Sequence, residues 1–109
     1  MPEIQMHGSK EEVKISEILG EKDYNLGETI DVEEGFSIRY DGSPIQKDVS
    51  GIDFAVQFSI NFNVELTDLV SEYLAYRIGK ATIQIGDEEI ENPTKEKIDE
   101  AFREAIEDE

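Results

Sequence analysis

The chain has 109 residues, 27 of them acidic and 10 basic, for a formal net charge of −17. With no basic patch to release counterions, nucleic acid and anionic membrane surfaces are excluded as partners, and basic proteins or peptides are favoured. The absence of cysteine excludes disulfides, a thiolate nucleophile and Cys-based metal sites.

The opening residues, MPEIQMHGSKEE, have neither the basic nor the apolar region of a secretory signal. No apolar run approaches the roughly 20 residues needed to cross a bilayer. A soluble, cytoplasmic protein is expected. Alternation of Ile4 and Met6 in EIQMH predicts a short strand. The segment SKEEVKISEILG then places Ser9 and Glu12 at capping-box spacing before Val13, Ile15, Ile18 and Leu19. A terminating Gly20 completes the pattern of a helix. ETIDVEEGFSIRYDG reads as a hairpin, with Ile30 and Val32 on one arm and Phe36, Ile38 and Tyr40 on the other. Gly35 supplies its turn. Asp41 to Gly51 reads as a loop.

The middle of the chain, GIDFAVQFSINFNVEL, has no Lys or Arg and nothing titratable between Asp53 and Glu65. Ile52, Phe54, Val56, Phe58, Ile60, Phe62 and Val64 occupy every even position. A period of two puts them on one sheet face, with Ala55, Gln57, Ser59, Asn61 and Asn63 on the other. Wound as a helix, the same apolar residues would scatter around the axis, so a long strand is expected. A helix from about Val64 to Ile78 follows, with Asn63 as its side-chain cap and Gly79 ending it. ATIQIGDEEIEN predicts a second hairpin turning at Gly86–Asp87. After Asn92-Pro93-Thr94, the spacing of Ile98, Ala101, Phe102, Ala105 and Ile106 predicts a final amphipathic helix.

Strands and helices mixed in this order, without regular βαβ alternation, predict an α+β fold. Residues 1–109 are expected to form a single two-layer domain, a mostly antiparallel sheet with about three helices packed on one face. The expected core joins Phe54, Val56, Phe58, Ile60 and Phe62 to Leu69, Val70, Tyr73, Leu74, Phe102 and Ile106.

Signatures of chemistry are absent from the sequence. His7 is the only histidine, expected at the surface or half-buried near a strand end, so neither a Ser–His–Asp triad without it nor a two-histidine zinc site can be assembled. No glycine-rich phosphate loop and no EF-hand order is present. The chain is therefore read as non-catalytic, with no cofactor and no metal.

The acids are unevenly placed. From Gly86 to Glu109 eleven acids face three bases, a net of −8. Glu96, Glu100, Glu104 and Asp108 stand four apart on the last helix, where like charges cost a few tenths of a kcal/mol per pair. Such a ridge suits a basic partner. The polar but uncharged row containing Gln57, Ser59 and Asn61 forms a second expected contact surface. It lacks the charge that guards exposed sheet edges, so a covering partner is expected, either a second copy of the chain in a homodimer or the loop Asp41 to Gly51.

The succession of a short strand, a capped helix, a central apolar segment, LTDLVSEYLAYRIGK, the TIQIGDEEIE hairpin and an acidic last helix resembles the small effector-associated domains of prokaryotic conflict systems. FSINFN stands where that family has a glycine-rich segment. The resemblance implies a non-catalytic adaptor working through protein–protein contacts, and carries over no site residues. The acidity also suits an inhibitor that mimics nucleic acid. A third reading is a small enzyme or binding protein whose pocket has no motif.

Overall fold

The structure, a computed structural model, describes residues 2–8, 14–20, 24–42, 46–47, 53–54 and 56–107. Among the described residues eight strands run in chain order: β1 (Glu3–Gly8), β2 (Thr29–Glu33), β3 (Phe36–Gly42), β4 (Gln46–Lys47), β5 (Asp53–Phe54), β6 (Val56–Phe62), β7 (Ile83–Ile85) and β8 (Glu88–Ile90). Of the described residues, those of α1 (Ile15–Leu19), α2 (Thr67–Ile78) and α3 (Lys95–Glu107) form α-helices that pack against the sheet. The expected α+β class is the observed one.

Six strands form one antiparallel sheet in the order β2-β3-β6-β1-β7-β8. The neutral strand β6 lies inside it, hydrogen-bonded to β3 on one side and β1 on the other. A strand paired on both sides offers no edge to other chains, so it needs no guarding charge. The charges stand instead on the true edges, Asp31 and Glu33 on β2 and Glu88 and Glu89 on β8. Covering a bare β6 edge is therefore not what its neutrality serves.

Register decides which side chains meet. Met6, Phe58 and Tyr40 lie side by side across β1, β6 and β3, as do Ile4, Ile60 and Ile38. All of these except Tyr40 are buried, and Tyr40 packs against their rim. The helices cover this face. The Phe62 ring meets Phe102 of α3 edge-on at 5.2 Å, and Phe36 meets Tyr73 of α2 at 5.3 Å. The Tyr73 hydroxyl donates to the Ile18 carbonyl at 2.8 Å, tying α2 to α1.

Several boundaries differ from the expected ones. The long strand ends at Phe62, and Val64–Leu66 form a 3-10 turn before α2 begins. Asn63 makes no side-chain cap; its backbone N–H donates instead to the Gly35 carbonyl at 2.8 Å. Leu69, expected in the core, is 38% exposed. The inner side of α2 is taken by Thr67, Val70, Ser71, Leu74 and Ile78, and Leu69 stands 100° around from Val70. Thr67 and Ser71 tolerate burial because each hydroxyl donates to a backbone carbonyl one turn back, of Val64 and Thr67 respectively.

The segment read as a loop from Asp41 is in part a hairpin arm, with Gln46 and Lys47 of β4 paired to Phe54 and Asp53 of β5. The capping box at Ser9 and Glu12 and the side chain of Phe54 lie outside the described residues.

Candidate functional site

The acidic ridge occupies the outward side of α3. Ile98, Ala101 and Phe102 are buried, which turns Glu96, Glu100 and Glu104 to solvent. Asp108 lies outside the described residues. Asp99 pairs with Arg103 at 2.5 Å, and Lys95 is held by Asp68 of α2 at 3.0 Å. Two of the three bases near the ridge are thus already engaged. Lys97 is engaged as well, capping the backbone carbonyls of Glu91 and Asn92.

The tertiary structure adds an acid that helical spacing does not show. Glu88, at the edge of the sheet, meets Glu104 and Glu100 across the gap to α3, and its carboxyl is pushed above the ordinary carboxylate value. Partial burial is the main cause, followed by the charge of Glu104, a hydrogen bond with it, and the charge of Glu100. Beside this point a cleft of about 650 Å³ opens between α3 and the β7–β8 turn, with Ile85 and Ala101 in its floor and Glu3, Glu88 and Glu104 on its rim. Carboxylates around an apolar floor match the build of a Lys or Arg side chain, an aliphatic stem ending in a charge.

The second expected surface is built differently from the expectation. Gln57 and Asn61 are half-buried on the sheet face opposite the helices, but Ser59 is fully buried. Its hydroxyl donates to Asp41 and accepts from Arg39 Nη2 at 3.0 Å. Arg39 also binds Asp41 through Nε at 2.6 Å and reaches Glu3 at 3.5 Å. These are cross-strand neighbours on β3, β6 and β1, and the salt-bridged side chains close over Ser59. Ser59 offers no contact surface.

His7, too, is more buried than its place near a strand end suggests, at 6% exposure. It stands in register between Gln57 of β6 and Gln84 of β7. Burial lowers its pKa below 6.5, while a hydrogen bond with Gln57 and the charge of Asp41 act the other way. Its Nδ1 has no hydrogen-bond partner among the described residues. His7, Ser59 and Asp41 are the residue types of a hydrolytic triad without its connectivity. The serine proton is held by Asp41, and the serine hydroxyl is inaccessible to substrate. Among the described residues no group of three or more His, Asp or Glu is placed to hold a metal ion.

The lowered His7 pKa has a measurable consequence. The unfolded chain takes up its proton first, near pH 6.5, so the folded state loses stability as pH falls through that value. The loss levels off once folded His7 is protonated as well. His7→Gln should flatten this part of the stability profile while leaving the carboxylate region below it in place. Urea unfolding from pH 7.5 down to 5.5 reads the difference, and parallel profiles would contradict the assignment.

No helix among the described residues is long and apolar enough to cross a membrane. Neither a known protein family, a curated protein nor a solved structure matches the chain.

Proposed function

We propose that the protein is a non-catalytic interaction module, an adaptor or regulatory domain that binds a basic protein or peptide through the acidic face of α3. The observation that supports this reading is the meeting of Glu88 with Glu100 and Glu104. The strand β8 and the helix that follows it bring three carboxylates together, and their charges add to the desolvation that raises the Glu88 pKa. Folding gains nothing from that repulsion, and a bound cationic side chain relieves it. The adaptor role implied by the resemblance to effector-associated domains agrees with this reading.

Replacing Glu96, Glu100 and Glu104 together by Gln removes most of the ridge without touching the core. Thermal stability should stay the same or rise slightly, since each like-charged pair costs a few tenths of a kcal/mol. Partners identified by capture from the native host at low salt should bind the variant more weakly. Their binding should also depend less steeply on salt. Equal capture by both forms, with the same salt dependence, would return the ridge to a solvated surface and remove this reading.

A further inference from the structure

A second surface of the helical layer has a different pattern. Glu65, in the turn that leads into α2, is followed by Leu69, Glu72 and Tyr76 at spacings of four, three and four. All four are exposed, Leu69 by 38% and Tyr76 by 86%, on the side of α2 opposite its buried residues. Alternating steps of four and three keep a stripe straight along a neighbouring helix, which is the spacing of a two-helix seam. The ridge on α3 advances only in fours and so winds about its axis by roughly 40° per step.

The chemistry of the stripe alternates as well. Acid, apolar, acid, aromatic follow one another, and Leu69 and Tyr76 stand about 10.5 Å apart along the axis, one heptad. Tyr73 is committed to the fold through Ile18 and is covered by the Arg77 guanidinium at 3.7 Å. Among the described residues no hydrogen bond or ring contact engages Tyr76, Glu65 enters no salt bridge, and Glu72 acts on Lys95 through its charge without forming a salt bridge. A nearly fully exposed tyrosine is the kind of anchor that interfaces bury at their centre.

We infer that this stripe docks a basic amphipathic helix of a partner protein, with apolar residues against Leu69 and Tyr76 and Lys or Arg against Glu65 and Glu72. The inference rests on the reading of the protein as an interaction module and gives the partner segment its form. Charge argues against a second copy in this position. It would set Glu65 and Glu72 against the same acids or against Leu69 and Tyr76, and would bring together two chains of −17.

The probe is a fluorescent synthetic peptide of about 18 residues, five helical turns, with Lys and Leu on opposite faces. Its control is a scrambled peptide of the same composition with no apolar face. In anisotropy titrations at physiological salt the ordered peptide should bind about tenfold more tightly than the scrambled one, a preference worth roughly 1.4 kcal/mol. Leu69→Ser with Tyr76→Ser, both at exposed sites, should abolish that preference. The Gln triple variant on α3 should weaken both peptides without abolishing it. Equal binding of the two peptides, or a preference that survives the Ser substitutions, would overturn the stripe and leave the acidic-face reading standing. Failure of either peptide to bind would count against both. Sedimentation showing self-association that Tyr76→Ser removes would overturn the inference by assigning the stripe to a second copy.

Discussion

Truncating Phe58 to Ala should cost about 3–5 kcal/mol, a large fraction of the stability of a domain this size. Phe58 is fully buried at the centre of β6, with Met6 of β1 and Tyr40 of β3 in register beside it and the Tyr40 ring 5.7 Å away. Both flanking strands are fixed by backbone pairing, so neither can close over the space that the ring leaves. Unlike a rim residue, it opens a cavity that persists. Asn61→Ala, on the same strand but on the opposite sheet face, should cost about 1 kcal/mol or less. Urea unfolding measures both, and an unchanged midpoint for Phe58→Ala would remove it from the core.

Gly35→Ala should be the next most damaging change. Gly35 has φ of +85°, and a Cβ placed there would stand 2.6 Å from Asn63 Nδ2 and 3.2 Å from a Leu66 methyl. The β2–β3 turn is docked on the junction between β6 and α2, where the Gly35 carbonyl receives the Asn63 N–H. Ala must therefore adopt a left-handed backbone, at about 1–3 kcal/mol, and also displace Asn63. Gly27 separates the two effects. Its φ is +83°, yet nothing lies within 4 Å of its Cβ position, so Gly27→Ala meets the backbone cost alone. A larger loss at Gly35 than at Gly27 is expected in thermal unfolding. Equal losses would show that Asn63 simply turns aside.

Gly35 also shows how far local pattern carries. Its place between two alternating runs identified the hairpin turn, because a tight reversal needs a residue that tolerates positive φ. Asn63 departs from its local pattern, making no side-chain cap. An Asn before a helix is a common cap, and the Gly35 carbonyl that takes its backbone N–H becomes visible only when the β2–β3 hairpin is laid against β6.

The candidate sites divide in the same way. Spacing alone placed Glu96, Glu100 and Glu104 on one exposed side of α3, since a helix repeats every 3.6 residues whatever it packs against. Glu88 joined them only through the fold. Alternation puts Ser59 in an outward polar row, and a place near a strand end suggests a surface or half-buried His7, but cross-strand neighbours enclose both, from β3 and β1 for Ser59 and from β6 and β7 for His7. Helical spacing puts Leu69 on one side of the expected helix with Leu66, Val70, Tyr73, Leu74 and Ile78, which predicts its burial. Which of two adjacent apolar residues turns inward depends on how α2 is rotated against α1, α3 and the sheet.

The sequence by itself determined the α+β class, the alternating faces of the strands, the hairpin at Gly35 and the amphipathic side of α3. These depend on periodicity and backbone preference, which act over a few residues. Only the tertiary structure decided that the neutral strand lies between β3 and β1, that Ser59 and His7 are enclosed, that Glu88 completes the acidic face and that Tyr76 is left bare. Strand order and helix rotation minimise the exposed apolar area of the whole chain at once, and no short segment contains that sum.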